Sequence, residues 1–356
     1  MEMLTFNASA GYLEGVVRGY RNSLLSTHIY SSLSQCETLD DLRMQLSATD
    51  YGNFLANEQP PLTTSVIAEK ATGKLVGEFR YLQDNAPKDG TLARFLEYMT
   101  YGYMIDNLIL LITGTLHERD THELLDRCHP LGTFDGMPAL CVANTVEELY
   151  NSVVVDTPLA GYFKDCLSAH DLDDLNIEII RNTLYKAYLE DFYNFTQSLG
   201  GTTAQAMGTL LSFEADRRTI NITLNSFGTS LSKEQRAKLF PSIGKLYPAG
   251  NNALARADDV DQVKQVCEYI PEYKNWWKDG GLGGGSGEDG SEVEELEGKM
   301  FREETKLNKL ETICQFNYSP FYAWLKLKEQ EIRSITWIAE CIAQGARDRI
   351  TDFVQF

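Results

Sequence analysis

The segment HERDTHELLDRCHPLG, residues 117–132, contains three of the five histidines in the chain together with a cysteine. Imidazole and thiolate groups are ligands that zinc prefers, so the first chemistry to consider is metal-dependent hydrolysis. A zinc protease needs the spacing HExxH, because ligands four residues apart share a helix face. His117 and His122 are five residues apart, which separates them by about 140° around a helix. The segment therefore predicts a polar helix followed by a turn, and a hydrolase built around His117, His122 and His129 is the alternative.

Two other segments resemble binding motifs only superficially. HDLDDLNIE (170–178) is acidic like a calcium loop, but it lacks the glycine at the sixth position and favours the acidic first turn of a helix. GSGEDG (285–290) matches GxGxxG, but no strand precedes it and its carboxylates stand where a phosphate would approach. The sequence contains neither GxSxG nor the phosphate-loop pattern. It therefore predicts no catalytic site, no cofactor and no metal, which favours a structural or coupling role.

The elements that would position any such residues have helical periodicity nearly throughout. TLDDLRMQLSA begins with a Thr/Asp capping signal and places Leu39, Leu42 and Leu46 on one face. KLNKLETICQFNYSPFYAWLKLKEQEIRSITWIAECIAQG predicts two long helices broken near Pro320, because proline interrupts a helix interior. Clear period-two strands bounded by turn residues are absent from the sequence. The predicted fold class is all-α.

Three apolar helical runs end on a glycine at nearly equal intervals: IDNLILLITG at Gly114, INITLNSFG at Gly228 and IAECIAQG at Gly345. Glycine takes the left-handed conformation common at a helix C-terminus without steric cost. Each run is therefore predicted to be a helix that stops at its glycine, and the recurrence predicts three related helical units. The predicted units are 1–117, 118–235 and 236–356.

A second recurring pattern places a glutamate four residues before an arginine. It occurs in EGVVR (14–18), EADRR (214–218) and EQEIR (329–333). Side chains at this spacing share a helix face, where an exposed pair contributes only a few tenths of a kcal/mol. The pairs add modest support to the repeat, although the first lies outside its register.

Composition disfavours a nucleic-acid-binding or membrane-spanning protein. Asp and Glu total 51 against 32 Lys and Arg, a formal charge of −19, and no run of basic residues interrupts it. Such a surface repels nucleic acid and anionic lipid. No apolar run approaches the ~20 residues needed to span a bilayer. Seven scattered cysteines without CxxC spacing are typical of reduced thiols, so we expect a cytosolic chain that reaches a membrane only through partners.

Longer motifs carry a resemblance that runs almost end to end. They include GYLEGVVRGYRN, YGYMIDNLILLITGTLHERD, RCHPLG, VDTPLAGYF, DLDDLNIEIIRNTLYKAYLEDFYNF, FEADRRTINITLNS, LARADD and KEQEIRSITWIAECIAQ. In this order they resemble the subunit d family of the vacuolar-type proton ATPase, which is related to the C-type subunits of archaeal and bacterial V/A-type ATPases. The departure is the Gly-rich acidic segment 279–298, whose composition predicts an exposed loop within the third unit.

The resemblance implies a non-catalytic subunit of the membrane (Vo) sector. The implied fold is a funnel of three similar helical-bundle units around a pseudo-threefold axis. The implied function is that of a rotor subunit that couples the central stalk to the proteolipid c-ring and transmits torque from ATP hydrolysis to proton translocation. Expected partners are the c-ring, central-stalk rotor subunits of the D and F type, and subunit a, at the cytoplasmic face of vacuolar or endosomal membranes. A helical adaptor of another membrane-associated complex is the alternative.

The resemblance also selects residues within the matched motifs as candidate contacts with these partners. The candidate coupling residues are Phe95, His129, Phe213, Arg217, Arg218, Glu329, Arg333 and Cys341. The alternative for each is internal packing between helical units, most clearly for Phe213. Cys36 and Cys341 lie in matching motifs near opposite ends of the chain and form a candidate redox-sensitive pair.

Overall fold

The computed structural model describes residues 2–52, 54–55, 57–58, 61–117, 119–137, 157–165, 174–277, 289–350 and 354. Within these ranges all regular structure is helical, consisting of α-helices and short 3₁₀ turns with no strand. The predicted all-α class is therefore confirmed. No helix in the same ranges is both long and apolar enough to cross a bilayer.

In chain order the α-helices are α1 (Glu2–Asn22), α2 (Thr27–Ser34), α3 (Leu39–Leu46), α4 (Thr64–Asn85), α5 (Thr91–Leu116), α6 (Thr121–Arg127), α7 (Asp174–Leu199), α8 (Gly201–Asn225), α9 (Lys233–Leu239), α10 (Ala249–Arg256), α11 (Val260–Glu268), α12 (Pro271–Lys274), α13 (Asp289–Glu311) and α14 (Ser319–Ala343). They fall into two compact units.

Unit 1 comprises Met1–Leu96 and Phe301–Phe356, so it holds α1 to α4, α14 and parts of α5 and α13. Its most extensive helix pair is α4 with α14. Apolar positions of α14 recur at three and four residues, as at Ile335, Ile338 and Ile342, which builds one buried face. The core of the unit combines that face with apolar side chains of α2, α3 and α4. Each fully buried side chain of this size contributes roughly 1.5–3 kcal/mol.

The capping signal predicted for TLDDLRMQLSA begins α3. The Thr38 hydroxyl accepts a hydrogen bond from the Asp41 N–H, and the Asp41 carboxylate accepts one from the Thr38 N–H. Leu42 and Leu46 are fully buried, and Leu39 packs partly buried against the same core. Both the cap and the apolar face are confirmed.

The break between α13 and α14 falls where the sequence predicted it. α13 ends at Glu311, and α14 begins at Ser319 with Pro320 in its first turn, where a missing N–H costs no helical hydrogen bond. In the connection, Phe316 has φ of +60°, a conformation that residues other than glycine seldom adopt.

Unit 2, Glu97–Met300, is built around the pair α7 and α8. α7 begins at Asp174, inside the acidic segment predicted to start a helix; residues 170–173 lie outside the described ranges. Gly200 and Gly201 follow α7 with φ of +67° and +56°, which favours glycine at the junction with α8.

Two of the three glycines predicted to end helices have left-handed backbones. Gly345 has φ of +68°; its N–H donates to the Ile342 carbonyl, and the N–H of Ala346 donates to the Cys341 carbonyl. This pair of hydrogen bonds is a Schellman cap at the end of α14. Gly228, with φ of +74°, lies in the turn that follows α8.

The prediction for Gly114 is wrong. α5 continues through Gly114 to Leu116. A Cβ at this position would overlap the side chain of Leu124 in α6, so the glycine permits close packing rather than helix termination. The division into units 1–117, 118–235 and 236–356 stays a prediction.

The segment 279–298 differs in part from the predicted exposed loop. Its residues up to 288 lie outside the described ranges, but α13 begins at Asp289, so the second half is helical. Leu296 and Met300, four residues apart, are both buried. They give this glutamate-rich segment an apolar face that anchors it as a helix.

Candidate functional site

A buried ion pair lies inside unit 1. Lys328 and Glu331 of α14 are 0% and 3% exposed, and their charged atoms are 3.0 Å apart. The Tyr51 hydroxyl donates to the same carboxylate at 2.7 Å, and the Leu25 N–H donates to its other oxygen. The Lys328 ammonium lies 4.3 Å from the centre of the Tyr51 ring. Moving a charge out of water costs several kcal/mol per ion. Removal of either member of the pair would therefore leave the other as an uncompensated buried charge.

Further charged side chains extend this cluster toward α4. The Lys74 ammonium is 2.8 Å from a carboxylate oxygen of Asp50 and 3.1 Å from one of Glu78. Burial raises the pKa of Glu78, while the charges of Lys328 and Lys74 act against that rise. Burial also disfavours ionised Asp50, but its hydrogen bond with Lys74 brings the pKa below its ordinary value. Charged groups of both signs thus lie within the helix bundle of unit 1.

Unit 2 contains a carboxylate with no exposed surface, that of Asp216 in α8. It accepts hydrogen bonds from the N–H groups of Lys245 and Leu246 at 2.9 and 3.1 Å, and from the Tyr273 hydroxyl at 2.6 Å. Gly244, with φ of +112°, lies so close that a Cβ would overlap this carboxylate. Asp216 therefore fastens both the turn before α10 and the helix α12 to α8.

Desolvation outweighs these hydrogen bonds in setting the protonation of Asp216. Burial raises its pKa to about 6, although its hydrogen-bond donors and the charge of Lys245 act in the opposite direction. Burial and the nearby Asp216 charge raise the pKa of Tyr273 far above its ordinary value, so its hydroxyl stays protonated and donates. Such shifts occur in structural networks as well as in active sites.

The predicted pair Glu14–Arg18 anchors a loop of unit 1. Its charged atoms are 2.9 Å apart and Glu14 is 5% exposed. The same carboxylate oxygen accepts from the Phe316 N–H at 3.1 Å, and Arg18 donates to the Cys314 carbonyl at 2.5 Å. The pair therefore holds the connection between α13 and α14 in place, including the left-handed Phe316.

Replacing Glu14 with alanine is expected to lower the free energy of unfolding by about 2 kcal/mol, because the part-buried Arg18 guanidinium and Phe316 N–H lose their acceptor. Hydrogen–deuterium exchange should quicken in residues 312–318. Glu123→Ala is the matched control, since Glu123 pairs with Arg127 at the same spacing and 2.6 Å but both side chains are more than half exposed. We expect the control to cost under about 0.5 kcal/mol. Equal losses in the two variants would contradict the anchoring role.

The histidine-rich segment forms α6 and a short 3₁₀ turn, which confirms the predicted polar helix and turn. The Nδ1 atom of His129 accepts from the Leu131 N–H at 3.2 Å, and its ring stacks on Tyr103 with centroids 4.2 Å apart. The Asn107 side chain accepts a hydrogen bond from the His129 N–H at 2.7 Å and donates one to the His129 carbonyl at 2.9 Å. Among the described residues no three His, Cys, Asp or Glu side chains form a metal-sized group; the side chain of His122 is not described.

The sequence matches the family model of the ATP synthase (C/AC39) subunit over residues 13–353. It is 57% identical to the V-type proton ATPase subunit d of Neurospora crassa and 50% identical to that of Saccharomyces cerevisiae, in each case over 99% of both chains. The chain belongs to the subunit d family of V-type proton ATPases. The Dictyostelium discoideum member is 51% identical over 99% of this chain and 96% of its own.

Membership of the subunit d family bears on the predicted function and on the hydrolase alternative. It confirms the prediction of a non-catalytic chain that belongs to a V-type proton ATPase. It also leaves the free-standing metal-dependent hydrolase without support, as does the engagement of His129 in its turn.

The candidate coupling residues of this subunit d family member are divided between the two units. Phe95 and Cys341 are buried in unit 1, and Phe213 is buried in unit 2. Phe95 stacks on Tyr318 with centroids 5.5 Å apart, and Phe213 meets Trp276 edge-on at 6.2 Å. Their burial agrees with the internal-packing alternative, and their role in coupling stays a prediction.

Arg217 and Arg218 of α8 both approach Glu214, at 2.6 and 3.3 Å. The Arg218 guanidinium also lies 3.3 Å from the ring centre of Tyr185 in α7, whose hydroxyl donates to the Gly102 carbonyl at 3.2 Å. Both arginines are half-buried and line an open groove of about 470 Å³ in unit 2. Arg218 and Tyr185 thus connect α5, α7 and α8, and both arginines keep part of their surface in solvent.

Glu329 and Arg333 lie on α14 beside the buried pair but reach solvent. Glu329 is half-buried and 3.0 Å from Lys326, and Arg333 is exposed with its guanidinium 5.3 Å from the ring centre of Phe301. Glu329 and Arg333 thus have the spacing of an ion pair, but Glu329 contacts Lys326 and Arg333 contacts Phe301. Their role in coupling stays a prediction.

Sequence reasoning missed Lys328, Glu331 and Asp216, which are the most buried charged groups in the two clusters. For the first two, the available signal was the mixture of Trp, Lys, Glu and Arg in WLKLKEQEIRSITW. For Asp216, the signal was the position of Thr219 and Thr223 on the same helix face, where all three are buried.

Cys36 and Cys341 belong to the same apolar core of unit 1, at 5% and 4% exposed, and both are reduced thiols. Burial raises the pKa of the Cys36 thiol, which disfavours the reactive thiolate. Their shared location is compatible with the predicted redox-sensitive pair, which stays a prediction.

We expect Cys36 and Cys341 to react with iodoacetamide at least about tenfold more slowly than Cys314 in the native chain, because burial withholds the thiolate. Cys314 is exposed and serves as the internal control. Diamide treatment followed by peptide mapping should then recover the two buried cysteines joined. Free alkylation of both in the native protein would refute the pair.

Proposed function

We propose that the chain is a non-catalytic rotor subunit that joins the central stalk of the V-type proton ATPase to its proteolipid c-ring. In this role it transmits torque from ATP hydrolysis to proton translocation. The observation that carries the proposal is the family match over residues 13–353, nearly the whole chain. The proposed place is the Vo sector, and the proposed fold is a funnel of three helical-bundle units around a pseudo-threefold axis.

Torque transmission requires stiffness, which long packed helices supply within each unit. α4 and α14, of 22 and 25 residues, pack together in unit 1, and α7 and α8, of 26 and 25 residues, pack together in unit 2. Interiors packed to crystal density transmit strain, and a sliding helix would break buried polar contacts such as those of Lys328 and Asp216.

The proposed partners are the proteolipid c-ring, central-stalk rotor subunits of the D and F type, and subunit a. This places the chain peripherally at the cytoplasmic face of vacuolar or endosomal membranes. A formal charge of −19 requires complementary positive surfaces on these partners. Arg217, Arg218, Glu329 and Arg333 are proposed as contacts because their side chains reach solvent. The buried candidates Phe95, Phe213 and Cys341 would stabilise the packing of the helices that carry these contacts.

The test replaces the chromosomal copy with a tagged chain and purifies it from mildly solubilised membranes. Quantitative mass spectrometry should recover the c-ring and, in equimolar amount, the central-stalk subunits. In the same membranes, ATP hydrolysis and ATP-driven proton uptake are measured side by side. We expect Arg333→Glu to lower the proton uptake per ATP hydrolysed, because the charge at a rotor contact is reversed.

Arg80→Glu is the matched control, because it makes the same charge change at an exposed position of unit 1. It should leave the ratio of protons to ATP unchanged. Recovery of the chain without ring and stalk subunits, or normal proton uptake in cells that lack the chain, would overturn the proposal.

A further inference from the structure

The fold assembles a basic groove that the linear sequence does not show. Arg21 at the end of α1 and Arg302, Lys306 and Lys309 of α13 line an open groove of about 650 Å³ in unit 1. Among the described residues no carboxylate lines it, in a chain whose formal charge is −19. The sequence shows no run of basic residues because these cations come from two distant segments that only the folded unit brings together.

The cations of the groove are largely uncompensated. Arg302 and Lys309 are exposed and form no ion pair with any residue that the structure describes. Lys306 lies 3.2 Å from Glu303, but its side chain is 66% exposed. An exposed pair of this kind contributes little, so the groove keeps a positive field that attracts carboxylates.

The same groove has an apolar rim. Leu310 and Ile313 are 53% and 63% exposed, although large apolar side chains are usually buried. Leu24 and Leu327 also line the groove and are more buried. From 302 to 309 the cations are spaced along roughly 10 Å of helix axis. A small anion would need donors that converge on one point, whereas this arrangement suits an extended partner.

We propose that the groove binds an acidic amphipathic helix of a partner protein. Carboxylates at positions i, i+4 and i+7 of that helix would face Arg302, Lys306 and Lys309, since these cations have the same spacing on one helix face. Its apolar side chains would cover Leu310 and Ile313, as in other helix-in-groove complexes. The proposal rests on the geometry of unit 1 and is independent of the torque-coupling role.

The test uses the purified full chain and a fluorescein-labelled synthetic peptide of roughly four helical turns, with Glu on one face and Leu on the other. Fluorescence anisotropy should show saturable binding that weakens as salt rises. We expect Lys306→Glu/Lys309→Glu to weaken binding at least about tenfold by reversing the complementary charge. Leu310→Ser/Ile313→Ser should weaken it at low and high salt alike.

Arg80→Glu/Lys88→Glu is the matched control, because it makes the same charge change at two exposed positions of unit 1 outside the groove. It should leave peptide affinity unchanged. All the substituted side chains are exposed, and circular dichroism of each variant verifies that it folds.

Two further probes decide what the groove recognises. A scrambled peptide of the same composition keeps the charge but loses the amphipathic face, and equal affinity for it would overturn the proposal. Vesicles containing phosphatidylserine test an anionic membrane as the ligand. Co-sedimentation with these vesicles without peptide binding would also overturn it, as would the absence of any peptide binding.

Discussion

Replacing Lys328 with methionine is expected to lower the free energy of unfolding by about 4 kcal/mol, among the largest effects of any substitution in unit 1. Methionine keeps a long side chain but leaves the Glu331 carboxylate buried without its counter-charge. Tyr51 and Leu25 continue to donate hydrogen bonds to that carboxylate, so the loss remains below the cost of an isolated buried charge. Urea titration measures the change, and faster hydrogen exchange in α14 assigns it to unit 1.

Two companion variants make this prediction specific. Lys326→Met removes a lysine of the same helix whose partner Glu329 lies 3.0 Å away, with both side chains about one-quarter exposed. It should cost under about 1 kcal/mol. Lys328→Met combined with Glu331→Gln removes both charges and should recover at least about 1 kcal/mol of the loss. Similar destabilisation by Lys328→Met and Lys326→Met would show that the buried pair is not the source.

Replacing Asp216 with alanine is expected to lower the free energy of unfolding by about 3 kcal/mol through unit 2. Three donors lose their acceptor at once, on Lys245, Leu246 and Tyr273, and each unsatisfied buried group costs about 1–3 kcal/mol before the unit relaxes. Hydrogen exchange should quicken in the turn before α10. Asp261→Asn, at a side chain 83% exposed, is the control and should change stability by less than about 0.5 kcal/mol.

Asp216→Asn is expected to change the pH dependence of stability with a defined sign. The folded-state pKa of Asp216 is raised to about 6 from an ordinary 3.8, so the folded chain binds this proton more tightly than the unfolded chain. The resulting stability is fully present below pH 3.8 and is lost as pH rises through 6. Relative to the Asn variant, the parent chain should therefore lose up to about 3 kcal/mol between about pH 4 and 7. A constant difference between the two chains over this range would contradict the raised pKa.

Local signals explain why part of the fold could be predicted from the sequence. The Thr38 cap, the break at Pro320 and the Schellman glycine Gly345 each depend on neighbours within a few residues. Gly114 shows the limit of such reasoning, because the same apolar run ending in glycine also arises when a partner helix needs close approach. A glycine that ends a helix and a glycine that permits close packing differ only in whether a neighbouring helix packs against that position.

The buried polar clusters and the basic groove depend on contacts that local patterns do not contain. Lys328 and Glu331 are three residues apart, the spacing of an ordinary surface pair, and their burial depends on residues distant in sequence, such as Tyr51 and Leu25, which donate hydrogen bonds to Glu331. Asp216 lies in EADRR, which is typical of a solvated helix face until the turn at Lys245 covers it. The family resemblance predicted the function class, whereas these contacts required the fold.

The division of unit 1 into two separated chain segments has a consequence for biosynthesis. Met1–Leu96 emerges from the ribosome well before Phe301–Phe356, whereas Glu97–Met300 forms a continuous unit. At typical translation rates the first segment waits roughly 10–40 s for its partner. During that interval the apolar face of α4 has no α14 to cover it. Nascent-chain folding should therefore begin with the central segment, and the amino-terminal segment should be the part of the chain that chaperones protect.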